Sequence, residues 1–288
     1  MKACILSVLL AVHAVAAVPA RGKIAPMPTF IGVEEYIVGG QEVVPPGKYP
    51  YQGALENVPA FGQPSFNCGC VLVTPDVILT AAHCVGTNVD RYRFLLGAHD
   101  RVTQLDGEPT YVYAREIVVH PDWDNNPNAA FPNDIAVILL NTTIPDSQFI
   151  QPIGLPEPDR NPDDHWVDAN CVISGWGRTS GEGALPNILR YAEIPVIRHG
   201  LCQALWNPYP VTDGQVCVYN EEFNNKGACN GDSGGPLVCR DDEDASWELV
   251  GLTSWGASGC LTEYPSVYTR VSTYREWIDE VLDEFMTL

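Results

Sequence analysis

Three short motifs carry residue types that can cooperate in nucleophilic catalysis, and the first of them contains a serine. Near its C-terminal end the chain reads Gly231-Asp232-Ser233-Gly234-Gly235-Pro236. A serine hydroxyl is a useful nucleophile only when its oxygen is exposed and a base accepts its proton. The flanking glycines permit a tight turn that presents this oxygen and aims the N–H groups of Gly231 and Ser233 at one point, as an oxyanion hole requires. We therefore predict Ser233 as a nucleophile.

The base and its carboxylate partner are predicted from the other two motifs. His83 stands in Thr80-Ala81-Ala82-His83-Cys84, directly after an apolar run, where small alanines permit close packing and the cysteine can pin the turn through a disulfide. Asp134 stands in Asn133-Asp134-Ile135-Ala136. An acid that leads into a buried run needs polar partners, which favours Asp134 as the group that holds the imidazole. The alternative for an isolated acid at this place is a simple turn residue.

Short apolar runs separated by Gly, Pro and Asn must position these residues. They are Val71–Val73, Val77–Thr80, Tyr111–Val119, Ile135–Leu140, Tyr191–Ile197 and Leu249–Trp255. Many short strands at near-regular spacing predict an antiparallel barrel or sandwich. Only the C-terminal end has a clear helical period, which predicts a helix that seals one side of the core. The apolar positions of this helix are Tyr274, Trp277, Ile278, Val281, Leu282 and Phe285.

The first 36 residues read as removable segments. Lys2 precedes an apolar run that ends in small residues, which predicts a signal peptide over residues 1–17, with cleavage after Ala17 or Ala20. A short membrane anchor is the alternative, but the run is shorter than the roughly 18 residues a span needs. Residues 18–36, with several Pro and Gly, are expected to be an activation propeptide. The functional domain is then residues 37–288, with a connector between two halves near 141–160, and we expect a secreted, extracellular protein.

Composition restricts the classes of partner. The chain has 16 Lys+Arg against 36 Asp+Glu, a net charge of −20, so neither nucleic acid nor an anionic membrane is an expected partner. We interpret this charge as a solubility device. An alternative is resistance to trypsin-type enzymes, because only Lys48 and Lys226 remain after residue 36. No CxxC pairs flank histidines at metal spacing, so the nine cysteines after Cys4 predict disulfides and one leftover thiol.

The order His83, Asp134, Ser233 makes residues 37–288 resemble the trypsin/chymotrypsin family of serine peptidases. The resemblance implies an all-β fold of two antiparallel six-stranded β-barrels, with the active site between them and a C-terminal helix. It implies that Ser233 attacks a peptide carbonyl, His83 transfers the proton and Asp134 orients the imidazole, while Gly231 and Ser233 donate to the oxyanion. It also implies a monomer that hydrolyses polypeptides, binds protein inhibitors of proteases and needs no cofactor or metal. A non-catalytic regulatory homologue is the alternative, disfavoured because all three residues are present.

The same resemblance implies activation by proteolysis. Ile37-Val38-Gly39-Gly40 resembles the family's mature N-terminus, so a cut after Tyr36 would free the α-ammonium of Ile37 to pair with Asp232 and order the oxyanion turn. Tyr36 departs from the Lys or Arg usual at this place. This implies an activator that prefers aromatic residues, and the enzyme itself is one candidate.

The substrate pocket is assigned on the same basis. Gly227 and Ser266 would lie at its base, and Ser254-Trp255-Gly256 matches the family's segment that pairs with the substrate backbone. An uncharged base implies rejection of Lys and Arg at P1, the residue before the cut bond, and Gly256 and Gly259 imply an open entrance. We therefore expect a chymotrypsin-like preference for large apolar or aromatic P1 residues. Elastase-like preference for smaller aliphatic residues is the alternative.

The resemblance also supplies the disulfides and two minor sites. It pairs Cys68 with Cys84, Cys171 with Cys239, Cys202 with Cys217 and Cys229 with Cys260. Cys70 is then left over as a buried, inert thiol, with an intermolecular bridge as the alternative. A calcium loop is not expected, because Ala98 and Leu105 replace two of the family's carboxylates although Glu108 is present. Asn141-Thr142-Thr143 is a glycosylation sequon.

Overall fold

The computed structural model describes residues 37–158, 165–167, 169–223 and 225–286. The predicted signal peptide and propeptide, including Tyr36 and both candidate signal cleavage sites, lie outside the described residues, so these boundaries stay predictions. Among the described residues, no helical segment has the length and hydrophobicity of a membrane span.

The first of two antiparallel sheets is a barrel closed by a bent segment. Its strands are β2 (Gln52–Asn57), β3 (Ser65–Thr74), β4 (Val77–Thr80), β5 (Tyr92–Ala98), β6 (Gly107–Val112), β7 (Ala114–Val119) and β8 (Ala136–Leu140). They are ordered β6-β5-β2-β3-β4-β8-β7. The edge strands β6 and β7 are separated by Tyr113 alone, so one continuous segment pairs with β5 at one end and with β8 at the other. This bend joins the two edges of the sheet.

The second sheet is closed in the same way. Its strands are β1 (Gln41–Glu42), β9 (Asn170–Gly175), β10 (Arg190–Glu193), β11 (Val196–Ile197), β12 (Gln215–Val218), β13 (Pro236–Arg240), β14 (Glu248–Trp255) and β15 (Ser266–Arg270). They are ordered β1-β10-β9-β13-β14-β15-β12-β11. Only Ile194 and Pro195 separate β10 from β11. Since proline has no N–H to donate, the pairing changes partner at this point.

The predicted all-β class with two antiparallel barrels is confirmed, and the strand counts differ for a physical reason. The sheets contain seven and eight strands rather than six each. The runs predicted as single strands over 111–119 and 191–197 each bend and contribute to both edges of one sheet. Counting each bent segment once, and leaving aside the two-residue β1, gives six strands in each barrel.

The predicted C-terminal helix is present, and a second helix was missed. α2 (Arg275–Met286) buries Ile278 and Val281 against an apolar cluster shared by both barrels. α1 (His199–Trp206) contradicts the expectation that only the C-terminal end is helical. This helix has eight residues and buries only Cys202 and Trp206, too few for a helical period to show in the sequence.

The two barrels meet in a junction of buried apolar and polar contacts. The shared cluster includes Leu79 and Leu95 from the first barrel and Leu252 from the second. Across the junction the hydroxyl of Ser174 donates to Oε1 of Gln52 at 2.7 Å.

The chain passes from β8 to β9 through the stretch where the connector near 141–160 was predicted, although residues 159 and 160 are not among those described.

Four disulfides cross-link the described chain. They are the four pairs that the family resemblance implies: Cys68–Cys84, Cys171–Cys239, Cys202–Cys217 and Cys229–Cys260. Cys70 is a free, buried thiol on β3. Burial raises the pKa of this thiol well above its usual range, so it stays protonated and unreactive.

Candidate active site

His83 and Asp134 form a tight, asymmetrically exposed pair. The two residues lie 51 positions apart in the chain, and Nδ1 of His83 is 2.7 Å from Oδ2 of Asp134. About 28% of the His83 side chain is exposed against 1% for Asp134. The imidazole can therefore reach a substrate while the carboxylate is sealed behind it.

Three further contacts hold the carboxylate and its backbone. Oδ1 of Asp134 accepts a hydrogen bond from the backbone N–H of His83 at 2.9 Å, and Oδ2 accepts one from the hydroxyl of Ser254 at 2.6 Å. The hydroxyl of Thr269 donates to the Asp134 carbonyl at 2.8 Å. A buried carboxylate is tolerated when its oxygens accept such bonds, which is the reason for selecting Asp134 from the sequence.

The chain turns sharply just before this aspartate. Ala130, Phe131 and Asn133 all adopt positive φ, between 52° and 59°. Non-glycine residues seldom adopt such angles, and they cluster where surrounding contacts dictate the backbone. Here the side chain of Asn133 donates to the carbonyl of Asp122 and accepts from the hydroxyl of Tyr274. These two anchors fix the direction in which the next residue, Asp134, points.

Ser233 lies in a turn in which some backbone N–H groups form hydrogen bonds within the protein and others do not. The N–H of Gly234 donates to Thr253, and that of Gly235 donates to Asp232. Gly231 has a φ of 102°, which favours glycine. Within the described chain, the N–H groups of Gly231 and Ser233 donate to no protein acceptor. These are the two donors predicted for the oxyanion hole.

The Ser233 turn packs directly against the segment that carries His83. The N–H of Gly69, on β3, donates to the carbonyl of Ser233 at 2.8 Å across the barrel junction. A Cβ atom at Gly234 would lie 2.1 Å from Oγ1 of Thr80 and 3.0 Å from the nitrogen of Ala81. Only glycine permits this approach, and Ala81 is two residues before His83.

The described residues form no hydrogen bond between the Ser233 hydroxyl and the His83 imidazole, so the third contact of the triad stays a proposal. Nucleophile–base contacts are often long in unliganded enzymes and tighten when substrate binds.

Asp232 is buried behind the same turn. Its carboxylate accepts hydrogen bonds from the backbone N–H groups of Gly177 at 2.8 Å and Cys229 at 2.9 Å. Burial nevertheless raises the pKa of Asp232 from 3.8 to about 7, because these two bonds only partly replace hydration. Ile37 is buried in the apolar cluster of the second barrel, and Val38 pairs with Gly227 through an isolated bridge.

A pocket adjoins Ser233, and every side chain that lines it is uncharged. The lining residues are Ala228, Cys229, Asn230, Ser233, Thr253, Ser254, Trp255, Gly256, Ala257 and Cys260. The predicted base residues Gly227 and Ser266 lie next to it. The Ser266 hydroxyl accepts from the N–H of Ala228 at 3.1 Å, and a Cβ at Gly227 would lie 3.1 Å from that hydroxyl. A Cβ at Gly256, which lines the pocket, or at Gly259 would meet nothing within 4 Å.

Sequence reasoning missed part of the support for the pair. Ser254 was assigned to the substrate strand alone, yet its side chain also bonds Asp134, and the roles of Thr269 and Gly69 were not anticipated. Their local sequence carries no signal for these contacts, because each is made across strands or between barrels. Cys68, His83 and Cys84 are the one group of potential metal ligands among the described residues, but the two cysteines form a disulfide.

Comparison with known proteins agrees with this geometry. The sequence model of the family described as Trypsin matches residues 37–278. The fibrinolytic enzyme, isozyme C, of Lumbricus rubellus is 37% identical over 85% of this chain and 99% of its own length. Chymotrypsin-C of Mus musculus is 35% identical over 94% of this chain and 98% of its own length. A chymotrypsin-like serine proteinase of Haliotis rufescens is 34% identical over 84% of this chain and 90% of its own length. The chain therefore belongs to the trypsin family and is a serine endopeptidase, whose substrates are polypeptides.

Proposed function

We propose that this endopeptidase uses Ser233 as nucleophile, His83 as general base and acid, and Asp134 as the group that orients the imidazole. The observation that carries the proposal is the buried Asp134–His83 pair, with its exposed imidazole edge beside the glycine turn of Ser233. In the first step Ser233 Oγ attacks the peptide carbonyl as His83 takes its proton. The imidazolium then protonates the leaving amine, and water hydrolyses the acyl-enzyme by the same route. The N–H groups of Gly231 and Ser233 stabilise the oxyanion in both steps.

The pocket beside Ser233 supports a preference for large uncharged P1 side chains. None of its lining residues bears a charge, so a buried Arg or Lys would lose its hydration without gaining a partner. The glycines at 256 and 259 leave room at the entrance for an aromatic ring. The edge of Ser254–Gly256 is suited to pair with an extended substrate.

Elastase-like specificity is the second candidate, and one observation favours it. The Ser266 side chain is buried beside the pocket, where its hydroxyl accepts from the N–H of Ala228 and would lie 3.1 Å from a Cβ at Gly227. A side chain at this place shortens the pocket, which would favour Leu or smaller aliphatic residues over Phe and Tyr.

We predict that kcat/KM falls by at least about 100-fold when P1 changes from Phe or Tyr to Arg. Burying an unpaired guanidinium costs several kcal/mol of binding free energy, and about 1.4 kcal/mol corresponds to a factor of ten in rate. The measurement is hydrolysis of chromogenic peptides ending in Phe, Tyr, Leu, Ala and Arg. Gly227→Asp should raise the Arg/Phe ratio at least tenfold over Gly227→Asn, a matched neutral control. An Arg preference in the native enzyme would contradict the proposal, and a maximum at Ala would assign the elastase-like alternative.

Activation is proposed to require a cut after Tyr36. The new α-ammonium of Ile37 would pair with Asp232, the carboxyl group whose pKa burial raises to about 7. A buried carboxylate without a cation destabilises its surroundings by roughly 3–5 kcal/mol, so the uncut chain should hold the oxyanion turn poorly. Since Tyr36 is itself a large aromatic residue, we propose that the active enzyme can cut its own precursor.

The precursor's stability should therefore depend on pH through Asp232. A folded pKa near 7 against 3.8 for the free side chain stabilises the uncut chain below pH 4, and the stabilisation is lost as the pH rises through 7. The loss should reach about 4 kcal/mol at 1.36 kcal/mol per pH unit. The measurement is denaturant unfolding of the Ser233→Ala precursor against pH, with Asp232→Asn added in the control. Equal pH slopes with and without Asp232 would contradict this assignment.

The same inactive precursor tests the processing site. Incubation with active enzyme should produce an N-terminus at Ile37 and make the pH dependence below 7 shallower, because the ammonium group stabilises the Asp232 carboxylate. On the alkaline side this stabilisation should be lost as the α-amine deprotonates, above its ordinary range of about 7.7–8.0. A chain that is never cut after Tyr36 would remove the self-activation proposal.

We further propose that the enzyme is secreted, acts as a monomer and meets protein protease inhibitors. Four disulfides favour an oxidising compartment, and the apolar N-terminal run supports export. The net charge of −20 opposes binding to nucleic acid or to anionic membranes. Asn141, exposed after β8, is accessible for glycosylation.

A further inference from the structure

A second cavity lies on the second barrel and shares no lining residue with the pocket beside Ser233. Its volume is about 620 Å³, within the range of roughly 300–1,000 Å³ that small-molecule sites occupy. We call it the basic cavity. It is lined by Lys48, Tyr49, Tyr51, Ala169, Asn170, Cys171, Val172, Glu193, Ile194, Pro195, Lys226, Arg240 and Trp247.

The charge of this cavity runs against that of the whole chain. Residues 37–288 contain two lysines, Lys48 and Lys226, and both line it, as does Arg240. Glu193 is the single acidic residue in the lining. Three cations against one carboxylate give the lining a net charge of +2, on a protein whose net charge is −20.

The three cations keep donors available. Nζ of Lys226 donates to the backbone carbonyl of Glu193 at 3.1 Å, and an ammonium group has two further donors. Nη1 of Arg240 donates to the carbonyl of Glu243, while its buried Nε has no partner. Among the residues that the structure describes, none of the three forms an ion pair with a carboxylate. Lys48 is exposed and Lys226 and Arg240 are half-buried, so their remaining donors can reach an incoming anion.

Aromatic and apolar groups form the remaining wall. Nζ of Lys48 lies over the rings of Tyr191 at 4.2 Å and Tyr49 at 5.4 Å, and the guanidinium of Arg240 lies over Trp247 at 4.8 Å. Burial raises the pKa of Tyr49 and Tyr51 well above the usual range, so both hydroxyls stay neutral and able to donate. Such a lining accommodates an apolar body as well as an anionic head group.

We propose that the basic cavity binds an amphiphilic organic anion, a ring or hydrocarbon body that bears one carboxylate or sulfonate group. The head group would contact Lys48, Lys226 and Arg240, and the body would pack on Trp247, Ile194 and Pro195. The site does not depend on the proposed catalytic roles, since none of its residues belongs to the triad, the oxyanion turn or the neutral pocket.

The test is calorimetric titration with naphthalene-2-sulfonate, naphthalene-2-carboxylate and the neutral naphthalene-2-sulfonamide. We expect both anions to bind at least tenfold more tightly than the amide, because a charged hydrogen bond is lost in the neutral ligand. Lys48→Gln and Lys226→Gln should each weaken sulfonate binding roughly tenfold and leave the amide unchanged. Higher ionic strength should weaken the binding of both anions and leave that of the neutral amide unchanged. The sulfonate and carboxylate arms distinguish the two head groups.

Two matched variants separate local from global charge. Lys226→Arg should keep sulfonate affinity within about threefold, and Arg91→Gln, an exposed charge on the first barrel, should leave it unchanged. Equal affinities for sulfonate and amide, or an equal loss in Arg91→Gln, would overturn the proposal. Sulfonate binding that is unchanged in Lys48→Gln would place the naphthyl group elsewhere, such as the neutral pocket beside Ser233, and would also overturn the proposal.

A second readout uses the native chain, so it does not depend on how the variants fold. Lys48 and Lys226 are the two lysines after residue 36, so acetic anhydride modification of lysine can be assigned to each by peptide mass. Saturating sulfonate should slow acetylation of both at least severalfold, whereas the neutral amide should not. Unchanged acetylation rates under saturating sulfonate would overturn the site.

Discussion

Replacing Ser233 with alanine should lower kcat for peptide hydrolysis by about 10⁶-fold, and replacing His83 with alanine should lower it by a similar factor. The reason is that the two side chains act as a unit. The hydroxyl attacks only as its proton leaves, and the imidazole has no catalytic proton to accept when the hydroxyl is absent. The assay is steady-state hydrolysis of a Phe or Tyr P1 substrate by the cut protein.

The double variant makes this expectation sharper. If the two residues act in one step, Ser233→Ala with His83→Ala should be little slower than either single variant, because their effects are not additive. The residual rate should still exceed that of the uncatalysed reaction by about 10³–10⁴-fold, since the free N–H groups of Gly231 and Ser233 are backbone donors that alanine preserves.

Controls show whether the loss of kcat comes from the missing catalytic group or from a damaged fold. Ser272→Ala removes another buried serine and should retain full activity with similar stability. An organofluorophosphate should label the native cut enzyme at Ser233 and should not label the His83→Ala variant at a comparable rate. Substantial activity in Ser233→Ala would contradict the role of Ser233 as nucleophile. A native protein that takes no label would favour the non-catalytic homologue instead.

Much of the architecture could be predicted because the signals are local. The glycines around Ser233, the alanines before His83 and the buried run after Asp134 each dictate a short piece of backbone. The run Val77–Thr80 has three apolar residues before its threonine and appears in the structure as a strand with the same bounds. The period of α2 was visible because its apolar face is long enough to repeat.

The parts that could not be predicted depend on distant residues. Barrel closure depends on a bend at Tyr113. The sequence has no turn-forming residue at this position, because the segment stays extended and only changes its pairing partner from β5 to β8. α1 is too short for a period to show. The hydroxyl of Ser254 meets Asp134 across 120 residues, and spacing along the chain does not encode this contact.

The basic cavity also depends on residues that are far apart in the chain, so it could not be predicted from the sequence. Lys48 and Lys226 were noticed in the sequence only because lysine is scarce, and their scarcity was connected with resistance to digestion. The structure brings both to one cavity although 178 positions separate them. A count of charges could not have indicated this, because a net charge averages over a surface whose local potential can have the opposite sign.

Asp134→Asn should lower kcat by about 10⁴-fold while leaving the fold intact, and the hydrogen bonds of this structure give the reason. Oδ1 faces the N–H of His83, which can only donate, whereas Oδ2 faces the Nδ1 of His83 and the hydroxyl of Ser254, which can both accept. An asparagine should therefore aim its oxygen at the backbone and its NH₂ at the imidazole. Nδ1 then becomes an acceptor and the proton moves to Nε2, so the ring can no longer accept a proton from Ser233.

Ser254→Ala separates this tautomer effect from simple loss of a carboxylate contact. It removes the 2.6 Å hydrogen bond to Oδ2 but leaves the aspartate, so the tautomer is kept and kcat should fall only about tenfold, the value of one charged hydrogen bond. Nitrogen NMR of the His83 ring should report a proton on Nδ1 in the native enzyme and in Ser254→Ala, and on Nε2 in Asp134→Asn. An Asp134→Asn enzyme within tenfold of native activity, or one that keeps the proton on Nδ1, would mean that the buried carboxylate does not direct the imidazole.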